Sequence, residues 1–416
     1  MASLKYWLWL TTRRGLSNQG VCALLDHFGT PAAIHFADPR EYNELPSLSG
    51  RAKESLVDKS MEEPDRILSE CERLGHRILT MADAGYPERL RNIYDPPAVL
   101  YLRGRDISFD DEAVISLIGT RAPTAYGIAQ AQRLGHDLAV QGAVVVSGLA
   151  RGLDSEGLRG ALRGGGTVCG VLGSGLDVIY PPENRFLFED VATSGLLISE
   201  YPPGTEPKSM HFPARNRIIS GLALGVVVVE GGYSSGTRIT ATAALDQGRD
   251  VFAVPGAVDA PMSYMPNLLI RKGEAKLITS ATDILEEYQY YYPAKLDLRP
   301  GLAPDTPAIA PGVQPRREAP EPPAPKPQAA KEPEGETIPT IHWRKLTPAL
   351  TDDQRDVMLA LKGKPMVMDE LVEATQIPTR RCSSAVTMLQ LAGFVREELG
   401  KRFAATVHIQ VDAGDP

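Results

Sequence analysis

Between residue 113 and about residue 288 the chain repeats one pattern: a short run of Val, Ile and Leu, a turn containing glycine, then an amphipathic stretch. The apolar runs are Val114–Ile118, Ala143–Val146, Thr167–Leu172, Gly195–Ser199, Val226–Val229 and Val251–Val254. Strands that are apolar on both faces need cover on both faces, which points to a parallel sheet sandwiched between helices. Right-handed crossovers then bring the carboxyl end of every strand to one rim. The expected fold class is therefore α/β, a doubly wound parallel sheet.

The flanking segments read differently. Residues 1–75 carry short helical patterns, and the turn Leu45–Gly50 feeding a further helix resembles a helix-hairpin-helix unit, although a small helical packing module is the favoured reading. Residues 76–290 hold the sheet, with Val99–Leu102 expected as an edge strand attached to it. From 291 to 345 the composition shifts to Pro, Ala, Glu and Lys, which cannot bury a core and predicts a disordered linker. Residues 346–416 give three helices and two short strands, a winged helix. Its third helix offers only Arg380 and Arg381 as charges, so duplex DNA and a protein surface are both open as its target.

Net charge is −8, so any polyanion site must be a local basic patch on an acidic body. The four cysteines are widely spaced, without metal-ligand spacing, and no metal or cofactor site is expected. No apolar run approaches the roughly 20 residues of a membrane helix. The apolar start Tyr6–Leu10 reads as a first helix rather than a signal peptide, and a reducing cytoplasm is the expected location.

Chemistry is expected on the carboxyl rim. Gly119-Thr120-Arg121, Ser147-Gly148, Gly173-Ser174-Gly175 and the 230–237 turn with Ser235-Gly236-Thr237 all follow strands. Glycine lets backbone amides approach phosphate closely, and Ser or Thr adds a hydroxyl donor. Arg121 and the fork Arg215-Asn216-Arg217 supply counter-charge. Asn216 is equally suited to cap the helix that follows; Asp154 reads as a cap, Glu200 and Glu230 as residues that orient arginines, His211 as a packing residue. The Gly173 turn lacks the sixth-position glycine of a dinucleotide site, and no Walker lysine follows any turn. No nucleophile–base pair is visible, so no catalytic residue is assigned and binding is favoured over an enzyme.

Taken together, Ile118–Arg121, Ser147–Asp154, Gly173–Asp177 with Tyr180-Pro181, Phe212–Ile219, Ser235–Thr237 and Gly248–Gly256 resemble the DNA-processing protein A (DprA/Smf) family. The resemblance implies a sterile-alpha-motif-like helical domain, an extended Rossmann domain and a winged helix. It further implies a cytoplasmic protein that binds single-stranded DNA, loads a RecA-type recombinase during natural transformation, and forms homodimers through the Rossmann domain. Carried over by motif, the DNA site comprises Gly119, Arg121, Ser147, Gly148, Arg151, Lys208, Phe212, Arg215, Asn216, Arg217, Ser235, Gly236, Thr237, Arg238 and Thr240. The chain departs from the family pattern at Gly157-Leu158, at Arg238 and around Met265–Asn267. The rival reading is a nucleotide phosphoribohydrolase, which carries a glutamate three residues past a Gly-Thr turn; here that position is Thr240.

Overall fold

The computed structural model describes residues 2–233, 235–298, 340–342, 350–362, 364–392, 394–398 and 402–410. The chain divides into two compact units, Met1–Ala310 and Pro311–Pro416.

The first unit is built on nine strands: β1 Arg77–Thr80, β2 Val99–Gly104, β3 Val114–Ile118, β4 Val144–Ser147, β5 Val168–Leu172, β6 Leu196–Ser199, β7 Gly225–Val228, β8 Asp250–Ala253 and β9 Lys276–Leu277. Their order across the sheet is β1-β2-β6-β5-β4-β3-β7-β8-β9. All pairings from β6 to β9 are parallel, while β1–β2 and β2–β6 are antiparallel. Alternate residues of β3 serve opposite cores: Ile115 and Leu117 face one, Val114 and Ile118 the other. The helices Ala125–Val140, Leu153–Arg163 and Arg185–Ser194 cover the first face, and His211–Leu222, Thr237–Asp246 and Tyr264–Lys272 the second. The chain winds outward from β3 to β6 on one face, then returns to lay β7 against the other side of β3. The switch point therefore lies between β3 and β7, where successive helices leave toward opposite faces and the turns part to leave a crevice.

Two expectations about the sheet change. Val99–Leu102 is not an edge; β2 sits between β1 and β6. The edge is β1, whose Arg77-Ile78-Leu79-Thr80 is too short and mixed to stand out by periodicity. The packed unit also outlasts the predicted boundary at 290: Leu296 is buried, and the Asp297 amide donates to the Gln141 carbonyl at 3.1 Å. The predicted linker otherwise falls on 299–339 and 343–345, outside the described residues, although Thr340–His342 pairs in parallel with His408–Gln410.

The N-terminal helices, Ala2–Thr11, Asn18–Phe28, Pro31–Phe36, Gly50–Val57 and Glu62–Leu74, join the first core through Trp7, Trp9, Leu24 and Tyr42 rather than closing a core of their own. Ser17, Thr30 and Ser49 cap three of them with side-chain oxygens. In the second unit the helices Asp352–Ala360, Met368–Thr375 and Thr379–Leu391 pack on Val357, Leu371, Val386 and Leu389, beside an antiparallel sheet of Met366–Val367, Arg402–Ala405 and Val395–Glu398. This is the expected winged helix. Arg381 is ion-paired with Asp353 at 2.6 Å, so one of its two helix-three cations is already neutralised.

Candidate nucleic-acid interface

A cleft of about 560 Å³ opens at the switch point. Its walls are the turn after β3 (Gly119, Thr120, Arg121), the turn after β7 (Gly232, Ser235, Gly236, Thr237) and the first turns of the helix His211–Leu222 (Phe212, Pro213, Arg215, Asn216). Thr240, Asp154, Tyr180 and Met262 are also among its lining residues. The helix Thr237–Asp246 starts at this cleft and turns the positive end of its dipole toward the space, while its first amides, those of Thr237, Arg238 and Ile239, are bonded to Ser235 and Gly236. Ser235 Oγ and Thr237 Oγ1 lie 2.7 Å apart, and the Ser235 oxygen also accepts from the Thr237 amide. Arg121 is exposed at the mouth, its guanidinium 5.4 Å from the centre of the Phe212 ring. Such cation–π stacking orients the charge without neutralising it. A narrower recess behind Phe212 is lined by Gly148, Arg151, Gly173, Tyr180 and Arg215.

The rim turns are held from beneath by a buried polar knot. Gly152, at φ 77°, carries no side chain where a Cβ would overlap the Thr120 carbonyl. The Leu153 amide donates to that same carbonyl at 3.2 Å. The next residue, Asp154, accepts from the amides of Gly119, Gly148 and Ala150. Burial pushes its carboxyl above the ordinary range, although Arg215 and the amides pull the other way. Arg215 is 3% exposed and donates through Nη1 to the carbonyls of Gly148, at 2.7 Å, and Val171. Burial pulls its guanidinium down to about 10, against the opposing field of Asp154.

The predicted fork does not exist as a unit. Residues 215 and 217 lie about 200° apart around a helix. Arg215 points under the rim, while Arg217 turns away from the cleft and pairs with Glu200 at 2.7 Å and Asp95 at 2.8 Å. Glu200 also accepts from Asn18 at 2.7 Å, tying the N-terminal helices to this helix. Arg217 is therefore a structural bolt. Arg217→Ala is expected to lower the unfolding free energy by about 2 kcal/mol, less than a fully buried pair because the partners are partly exposed. A urea titration checks it.

Other predicted positions sort as follows. Gly119, Arg121, Phe212, Arg215, Asn216, Ser235, Gly236, Thr237 and Thr240 line the cleft, and Gly148 and Arg151 the recess. Ser147 does not: it is fully buried, and its hydroxyl donates to the Leu117 carbonyl at 2.6 Å. Lys208 and Arg238 are exposed but outside the walls. Arg151 is ion-paired with Glu183. Asn216 cannot cap its helix, which begins five residues earlier at His211. Glu200 does orient an arginine, but Glu230 instead anchors the helix Ala125–Val140 by accepting from the amide and hydroxyl of Thr124, at 3.0 and 2.5 Å. His211 stacks on Tyr201 at 4.1 Å, as a packing residue should. The carried-over site left out Thr120 and Tyr180, although both stand in the motifs quoted for the resemblance and Thr120 in a rim turn, and Met262, which lies in none of them. Among the described residues no cluster of His, Cys, Asp and Glu is placed to hold a metal ion.

Fold and site together define an α/β protein of the doubly wound class, with a donor-lined cleft at its switch point and a winged helix in its second unit. The sequence model of the DNA recombination-mediator protein A family matches residues 77–289, and that of the DprA winged helix domain residues 344–401. The chain belongs to this DprA/Smf family. It is 44% identical over 222 residues to DNA processing protein DprA of Bacillus subtilis, covering 53% of this chain and 74% of that one. It is 31% identical over 412 residues to protein Smf of Synechocystis, covering 96% and 98%. The crystal structure of DNA processing protein A from Streptococcus pneumoniae superposes with a TM-score of 0.60 at 32% identity, covering 71% of this chain and 99% of that chain.

Proposed function

We propose that the switch-point cleft holds the phosphate chain of single-stranded DNA, and that the protein passes this strand to a RecA-type recombinase during DNA uptake and recombination. The observation that carries the reading is the charge inventory of the cleft. Among the described residues Arg121 is exposed without an ion pair, beside the hydroxyls of Ser235 and Thr237 and a helix N-terminus, while the one carboxylate on these walls, Asp154, is turned inward on the rim amides. Donors converging without a free acid suit a polyanion that is held and not cleaved. Thr240, nearly buried at the position where a phosphoribohydrolase would place its glutamate, fits the same reading. Family membership supports the DNA-processing role, and pairing of two copies through the Rossmann unit in the cytoplasm completes the proposal. Among the described residues no helix is long and apolar enough to cross a membrane.

The test is fluorescence anisotropy with a labelled oligonucleotide across a salt series. Arg121→Ala is expected to weaken binding about tenfold and to flatten the slope of log K against log salt by about 0.7, one phosphate contact on a single strand. Its urea midpoint should stay at the parent value. Unchanged affinity in Arg121→Ala would remove the cleft from consideration as the DNA site.

A further inference from the structure

Beside the cleft, on the β7 side, one tyrosine ring stands largely in solvent against a second that is partly covered. Tyr233 is 76% exposed and Tyr264 40% exposed, their ring centres 5.2 Å apart and tilted by 59°. They come from different segments, the turn after β7 and the start of the helix Tyr264–Lys272. Two backbone hydrogen bonds, Gly231 amide to Met262 carbonyl and Met265 amide to Gly231 carbonyl, both 2.8 Å, lock those segments in register. Gly232, next to Tyr233, and Met262, two residues before Tyr264, are themselves cleft walls. The rings are thus a fixed shelf at the edge of the donor-lined space.

We infer that this shelf, with Tyr233 as its free face, stacks an unpaired nucleobase of the strand whose phosphates occupy the cleft. The inference rests on the reading of the cleft as a single-strand site and extends it from backbone to base. The other aromatic wall is already engaged: Arg121 covers the Phe212 ring, and Tyr180 packs 5.4 Å from it. Tyr233 has the Tyr264 ring on one side and is otherwise largely exposed among the described residues. Every base offers a π-face, so an exposed ring can stack one with little dependence on sequence. Gly232, the chain neighbour of Tyr233, is itself a cleft wall, so a strand whose phosphates lie in the cleft passes beside the shelf. Duplex DNA cannot use the shelf, because its bases are stacked and paired inside. The shelf therefore supplies selection for single strands that phosphate contacts by themselves lack.

The experiment compares an oligothymidylate with an abasic oligonucleotide of equal length, which keeps every phosphate and removes every base. The parent protein is expected to bind the thymidylate more tightly. Tyr233→Ala is expected to cut that preference at least about fivefold while leaving abasic affinity and the salt slope unchanged. Tyr233→Phe, which keeps the ring, is expected to retain the parent preference. If Tyr233→Ala discriminates between the two probes as the parent does, the shelf is overturned, and the Arg121→Ala result still decides the cleft. If the parent binds neither probe, the single-strand reading fails first and the shelf falls with it.

Discussion

Arg215→Ala is expected to lower the unfolding free energy of the first unit by about 3–5 kcal/mol, the cost of leaving one partner of a buried charge arrangement behind. The motif alone suggests a milder result, a weaker grip on DNA in a well-folded protein. The structure reverses that expectation. The guanidinium is 3% exposed and closes the carbonyls of Gly148 and Val171, which belong to the ends of two adjacent strands. Removing it orphans both carbonyls at about 1–3 kcal/mol each and strips Asp154 of the positive charge that offsets its burial. Arg215→Lys should recover only part of the loss, since a compact ammonium on a flexible stem does not copy the rigid, longer reach that sets Nη1 between the two carbonyls. Urea titration followed by tryptophan fluorescence separates the two readings. A parent-like midpoint with weakened DNA binding would mean that Arg215 serves the ligand and not the rim. The paired measurement on Arg121→Ala, where stability should hold and binding should fall, makes the contrast between two arginines of one cleft.

That contrast marks how far the sequence was legible. The apolar runs from Val114 to Val254 announce six parallel strands within about a residue at each end, because a strand buried on both faces has almost no other way to be written. Strand β1 was not visible, because four residues headed by an arginine at a sheet edge carry no periodicity. The rim turns placed Gly119, Arg121 and Ser235–Thr237 correctly on one cleft, since glycine after a buried strand has a positional meaning. Direction was what the sequence withheld. Arg215 and Arg217 look alike in a line of letters, yet a helical turn sends one beneath the rim and the other to Glu200 and Asp95, residues distant in sequence. Ser147 likewise reads as a rim donor and proves to be the last inward residue of β4.

Gly160→Ala should be the second costly change, and its sign makes it informative. In a free helix the substitution gains about 1 kcal/mol, because glycine carries the larger entropy loss. Here the helices Ala125–Val140 and Leu153–Arg163 cross with their backbones nearly touching. A Cβ on Gly160 would overlap the Gln132 carbonyl, and one on Gly135 would overlap the Gly157 carbonyl. Neither obstacle is a side-chain tip that can swing aside, so one helix must move. Overpacking of this kind costs about 1–3 kcal/mol and absorbs the propensity gain as well. We expect a net loss of about 2 kcal/mol. Gly50, also in a helix but with open space around its Cβ, should lose nothing from the same substitution. The displaced helix is the one that opens with Leu153, packed against Gly119, and Asp154, the hub of the rim. Single-strand affinity should therefore fall in Gly160→Ala even though the site of change lies well down the helix from the cleft. A stable Gly160→Ala protein with parent affinity would show that the two helices stand further apart and that the rim is not set by their contact.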